Sequence, residues 1–179
     1  MHILFIADAS TIHSYRWIKY FSKIKGMKVT WCSMTENTMP ELDNVEYKFI
    51  NKKNPLNLIK TIRYISKIAP DIIHVHYLGW NGFLSLFFPK SKIVLTAWGS
   101  DIVVNSQKWL KKLILQKMVK RASVITCDAD HLRKKLVDLG SEQENIKIVM
   151  FGIDKETFTS DRIPFDVQGK NVKFNVGSI

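Results

Sequence analysis

The chain has 179 residues, 46% of them hydrophobic and 11% aromatic, which suits one sizeable core and is short for two full domains. Apolar residues recur throughout without low-complexity tracts, which excludes a disordered chain, and no run of about 18 apolar residues is present to span a membrane. Lys and Arg number 27 against 16 Asp and Glu, a formal charge of +11 that attracts polyanions: nucleic acid, anionic lipid, or nucleotide and sugar phosphates.

The opening run "HILFIA" (2–7) reads as a buried strand and not a signal peptide, since it has neither a basic leader nor a cleavage site. A helical pattern follows over 13–25, stopped by Gly26. "MKVTWCS" (27–33) and "VEYKFI" (45–50) are strand candidates. Asn54-Pro55 then opens a second helical pattern over 56–68, ended by Pro70. "DIIHVHY" (71–77), "KIVLTA" (92–97), "SVITCD" (123–128) and "IKIVMF" (146–151) are further short β-rich runs. Helical patterns over 107–121 and 129–139 separate the last three, the second closed by Gly140. Strand and helix alternating in this way predict an α/β fold, a Rossmann-like parallel sheet with helices on both faces. Ligands of such sheets bind at the C-terminal ends of the strands. That rule singles out "DASTIHS", "HYLGWNG", "AWGSD" and "CDAD", where polar, glycine and aromatic residues gather. Cys32 and Cys127 have no CxxC spacing and read as reduced, buried thiols.

Residues 1–151 are expected to form one domain. The segment 152–171 is polar and contains Pro and Gly, like an interdomain linker, and 172–179 begins a new apolar run that reads as the first strand of a second domain.

Five stretches in this order resemble the N-terminal half of a GT-B-fold glycosyltransferase of the family 4-like type. "HILFIADASTIHSYRWIKYF" is similar to that group's first strand, loop and helix start, and "PDIIHVHY" to its next "PDhhHhH" strand. "VLTAWGSDI" resembles its "hhThHGsDh" strand and loop, "IVMFGIDKETF" its "hhxNGhDxxxF" segment, and "FNVGSI" the first strand of its second domain. The resemblance implies two Rossmann-like domains facing a cleft, with the nucleotide sugar held mostly by the second and the acceptor by the first. It also implies retention of anomeric configuration, no bound metal and no cofactor beyond the nucleotide-sugar donor, and little activity from this half alone.

The candidate substrate-binding residues follow from the strand-end rule and the resemblance together. Asp8 and Ser10 lie in the first loop, which lacks the paired glycines common there; Ser10 or Ser14 serves equally well as a helix cap. His13 and Arg16 match the family's His-xx-Arg-aromatic pattern. His74 and His76 share one strand face, a spacing that permits metal ligation, but no third ligand stands out. His76, with Tyr77 and Asn81 beside it, is the better site candidate. In Trp98-Gly99-Ser100-Asp101, Trp98 occupies the place where the family commonly has a His held to lie near the transferred sugar. Indole is only a donor, so no His base is available there, and the catalytic residue is left unassigned. A Trp stacks on a sugar face, Gly99 admits close backbone approach, and Asp101 either accepts from sugar hydroxyls or, like Ser100, caps a helix. Asp128 and Asp130 read as helix caps.

Basic residues line helical faces: Arg16, Lys19 and Lys23 in the first helix, and Lys60, Arg63 and Lys67 in the second. Lys108, Lys111 and Lys112 belong to "KWLKKLILQKMVKR", where Leu115 and Val119 fall on the same arc as Lys108 and Lys112. Ordinary solvated faces explain such stripes. A mixture of Lys, Trp and Leu also suits an anionic membrane surface, as a lipid-linked acceptor at the cytoplasmic leaflet would require. The leading expectation is a cytoplasmic glycosyltransferase, peripheral to that leaflet, that builds surface polysaccharide or glycolipid. The alternative is a non-catalytic module for a phosphorylated ligand. Nucleic acid is disfavoured, because the aromatics at 17, 31, 80 and 98 follow strands and helix cores and no helix-turn-helix or RNP-like signature is present.

Overall fold

In the computed structural model, residues 1–51, 54–150 and 152 are described. Seven short runs rich in Ile, Val and Phe form β1 (His2–Ile6), β2 (Lys28–Ser33), β3 (Val45–Phe49), β4 (Ile72–His76), β5 (Ile93–Thr96), β6 (Val124–Cys127) and β7 (Ile146–Ile148). They pair in parallel throughout, in the order β3-β2-β1-β4-β5-β6-β7. The order reverses between β1 and β4, and a crevice opens there at the C-terminal strand ends. This is the expected Rossmann-like sheet.

The helices are α1 (Ile12–Ser22), α2 (Pro55–Ile68), α3 (Trp80–Leu84), α4 (Ser100–Val103), α5 (Trp109–Arg121) and α6 (Asp130–Asp138). Four of them match the sequence expectation to within three residues at either end. Neither α3 nor α4 was expected, because five and four residues are too few to show a 3.6-residue period. Capping explains the starts and stops. The Asn54 side chain accepts from Leu56 N–H and Pro55 opens α2, whereas Ala69 ends it in a left-handed turn. Thr11, and neither Ser10 nor Ser14, caps α1 by accepting from Ser14 N–H. Ala129 occupies the cap position of α6, so Asp128 and Asp130 do not cap it; Asp130 instead pairs with Arg133 and Lys134 on the surface.

Strand alternation sorts the core into two layers. Leu4, Ile6, Ile73, Val75, Ile93, Leu95 and Ile125 point to one face, where Ile65 of α2, Leu115 of α5 and Leu136 of α6 pack on them. Ile3, Phe5, Val29 and Trp31 point to the other, under Ile18 of α1. Helices cover both faces, but among the described helices α1 alone covers the second. On that face a buried polar row crosses three strands: His74 Nε2 lies 2.7 Å from Thr96 Oγ1, which lies 2.7 Å from Thr126 Oγ1. Cys32 and Cys127 are both free and buried, and burial pushes the Cys32 thiol up to about 12. The expected linker, apart from Gly152, and the expected strand over 172–179 lie outside the described residues.

Candidate functional site

The end of β1, the first turn of α1, the end of β4 and the loop after β5 meet at the reversal in strand order. His13 and Arg16 project from the start of α1. With Trp17, Tyr20, Val149 and Met150 they line a cavity of about 300 Å³. The His13 ring lies over Trp98 at 4.9 Å between centroids, and the Trp98 ring meets His76 edge-on at 5.6 Å. His13, Arg16, His76 and Trp98 are therefore one cluster, drawn from three elements far apart in sequence. A guanidinium and an imidazole beside a half-buried indole suit an anionic, sugar-bearing ligand: Arg pairs bidentately with phosphate, and the indole face stacks on a sugar ring.

The other expected residues have more structural roles. Asp8 is half-buried and its Oδ1 accepts from Ser10 N–H at 3.0 Å, from Ser10 O–H at 2.7 Å and from Thr35 O–H, so it shapes the first loop. Ser10 is exposed on that loop. Thr35 and Ser33, which the sequence reading overlooked, complete the cluster by receiving Ala9 N–H. Tyr77 is exposed, with a φ of 67°, and Asn81 donates from its amide to the His76 carbonyl, pinning the end of β4.

His76, expected to face a ligand, is 1% exposed. Phe5, Trp17, His74 and Trp98 surround its ring. Its Nδ1 is 3.4 Å from Ser14 Oγ, and Nε2 has no hydrogen-bond partner. Burial pushes His76 well below the ordinary imidazole range, with the neighbouring His74 adding to the effect, so the ring is neutral. It is a packing residue beneath Trp98. The His74 and His76 rings lie 4.7 Å apart, and His74 is spent on Thr96. Among the described residues no group of three or more His, Cys, Asp or Glu is placed to hold a metal.

Asp101 departs furthest from the sugar-contact expectation: it is 0% exposed. Its Oδ2 accepts Leu78 N–H at 2.7 Å, and its Oδ1 accepts Trp98 N–H at 3.0 Å and Ile102 N–H at 3.1 Å. Burial raises its pKa, and the facing backbone N–H groups pull it back down. The carboxylate thus ties the loop after β4 to the loop after β5 and holds Trp98 in place. Gly99 permits this with a φ of 99°, a left-handed conformation that L side chains rarely adopt, and caps α4 while Ser100 stays exposed.

The sequence profile of the family described as glycosyl transferase 4-like matches residues 2–129. The chain belongs to the glycosyl transferase 4-like family. The matched span carries β1 to β6 and every residue of the His13–Trp98 cluster. Comparison with curated protein sequences returned no match. Among solved structures, the sucrose-phosphate synthase of Thermosynechococcus elongatus is similar at 13% identity and a TM-score of 0.69, over 88% of this chain and 50% of that one. Anabaena HepE in complex with UDP-glucose is similar at 15% identity and a TM-score of 0.63, over 87% and 45%. The Neisseria meningitidis UDP-GlcNAc 2-epimerase bound to UDP-GlcNAc is similar at 12% and 0.60, over 83% and 45%. At these identities the likeness shows the fold, here one half of a GT-B architecture. This glycosyl transferase 4-like chain spans about half the length of the solved structures it matches.

The basic positions also have places in the fold. Lys19, Lys23, Lys60, Arg63, Lys67, Lys108, Lys111 and Lys112 are exposed, whereas Arg16 is half-buried and belongs to the cavity. On α5 the expected exposed arc is corrected: Leu115 and Val119 are buried with Met118, and the exposed apolar residues are Trp109, Leu110, Leu113 and Ile114. On α1, Tyr20 is 67% exposed and Tyr15 is buried. Among the described residues no helix is long and apolar enough to cross a membrane.

Proposed function

We propose that the protein is a glycosyltransferase and that residues 1–151 are its acceptor side. It transfers a sugar from a nucleotide-sugar donor to a glycan or lipid-linked acceptor in surface polysaccharide or glycolipid assembly, with retention of configuration. The family match over 2–129 carries this reading, because it covers the strand ends where His13, Arg16 and Trp98 meet. The UDP, UDP-glucose and UDP-GlcNAc named for the structural neighbours support a nucleotide-sugar donor. In the complete enzyme a second half reads the nucleotide, and this half presents Arg16 and His13 to a phosphate of the acceptor and Trp98 to the sugar being transferred.

The chemistry requires no His at position 98. The anomeric carbon–phosphate oxygen bond breaks, the acceptor oxygen bonds to the anomeric carbon, and the acceptor proton passes to the leaving phosphate. The protein's part is positioning and electrostatic stabilisation, which needs no resident metal. The exposed lysines favour an anionic membrane surface, where a lipid-linked acceptor would lie.

A screen of several nucleotide sugars against a lipid-diphosphate acceptor with the full-length protein tests the proposal. Transfer from one of them is expected; neither transfer nor donor hydrolysis with any of them contradicts it. Within that assay Trp98→Ala should lower kcat/KM roughly tenfold or more while costing about 1–2 kcal/mol of stability, because the ring is half-buried and its stacking serves the ligand. The reverse pattern would make Trp98 a packing residue.

A further inference from the structure

A second cavity, of about 380 Å³, opens between α3 and α5 away from the His13–Arg16 cluster. Leu78, Trp80, Phe83, Ile114 and Met118 form its apolar wall, and Lys111 stands at its mouth, 3.3 Å from Asn105 Oδ1. At Gly82 an added Cβ would sit 2.8 Å from the Met118 sulfur, so α3 packs directly on α5 and the cavity is built into the fold. Around it lies apolar surface that a soluble face normally hides. Trp80 is 68% exposed and Trp109 71%, and Val104, Leu110 and Leu113 are at least half exposed. Trp80, Phe83 and Phe87 form an aromatic row along α3 and the turn after it, with ring centroids 6.0 and 5.5 Å apart. The charge beside this surface has one sign. Between Asp71 and Asp128 the only acidic residue is Asp101, and it is buried.

We propose that this surface docks on an anionic lipid bilayer and that the α3–α5 cavity takes a hydrocarbon chain of a membrane lipid. The Trp80 and Trp109 rings sit at headgroup level, where an amphipathic indole is best accommodated, and Lys108, Lys111 and Lys112 meet the headgroup phosphates. Charge decides between occupants. A second copy of the chain would bring the same uncompensated lysines against these, and a neutral apolar partner would leave them desolvated and unpaired. An anionic amphiphile satisfies both the apolar cavity and its basic rim. The inference deepens the lipid-linked-acceptor reading and rests on it for its purpose, but bilayer binding is measured without any sugar transfer.

The test uses the full-length protein with vesicles of one part phosphatidylglycerol to three parts phosphatidylcholine, some lipids brominated along their chains. At about 50 mM salt the protein should sediment with the vesicles and its tryptophan fluorescence should be quenched, with both effects weakening as salt is raised. Trp80→Ser/Trp109→Ser should bind at least tenfold more weakly and lose most of the quenching; both side chains are mainly exposed, so an unchanged melting temperature verifies the fold. Lys108→Gln/Lys111→Gln/Lys112→Gln should weaken binding and flatten its salt dependence. Failure to bind, or tight binding by the double Trp variant, overturns the inference. So does a concentration-dependent dimer that the double Trp variant abolishes, which would assign the surface to self-association. Lost vesicle binding with retained transfer to a water-soluble acceptor overturns this docking site alone, whereas vesicle binding without any transfer overturns the glycosyltransferase reading alone.

Discussion

Asp101→Ala is expected to be the most damaging single substitution in the cluster, although the side chain touches no solvent. Its carboxylate is the partner of three backbone N–H groups, on Leu78, Trp98 and Ile102. Leu78 and Ile102 are at most 1% exposed, so water reaches these donors poorly once the acceptor is gone. An orphaned buried donor costs about 1–3 kcal/mol, so the loss should be about 3–5 kcal/mol, which at this chain length is roughly 10 °C in melting temperature. Asp101→Asn should cost about half of that: one oxygen still serves Trp98 and Ile102, while the new amide faces Leu78 N–H donor to donor. Denaturant melts of the two variants check the order. Equal and small losses would mean that the two loops hold together without the carboxylate.

Acid should destabilise the protein well above the range where carboxylates titrate. His74 and His76 are at most 4% exposed, and burial lowers both pKa values, that of His74 to about 3. Unfolding returns each to the ordinary 6.5, so the unfolded chain binds more protons in between. A depressed folded pKa means that the contribution is intact above 6.5 and is lost as pH falls toward the folded value. From pH 7.5 to 5 the loss is about 2 kcal/mol for His74, and His76 adds to it in the same direction. Asp101, whose pKa burial raises, acts with the opposite sign: what it contributes is lost as pH rises through its folded value. His76→Leu removes one of these proton-binding groups together with the partnerless Nε2, so the loss between pH 7.5 and 5 should be smaller than in the wild type. Urea melts across that range are the measurement, and a flat profile in the wild type would show that both rings take up protons in the folded state.

These two residues also show what could be read from sequence. The sheet was legible because each strand is a β-rich run between turn signals, and the parallel arrangement then located the site at the strand ends. His13, Arg16 and Trp98 do meet there. The job of Asp101 was hidden because its Oδ2 partner lies 23 residues away on another loop. His76 looked like a strand-end ligand, and only packing by Phe5, Trp17 and Trp98 shows it enclosed. On α5 apolar and basic residues alternate around the whole helix, so periodicity could not tell the buried side from the exposed one. Trp80 was read with the buried aromatics because a five-residue helix has no period to reveal which side faces water.

The central claim is that this half binds the acceptor at the His13–Arg16 cavity. The most direct measurement is initial-rate kinetics of the full-length enzyme and its Arg16→Ala variant, varying donor and acceptor separately. Arg16→Ala should raise the acceptor KM at least tenfold and leave the donor KM within about twofold, since one lost charge-assisted contact is worth about 1.5–3 kcal/mol. An unchanged acceptor KM would contradict the claim, whether or not the donor KM moves.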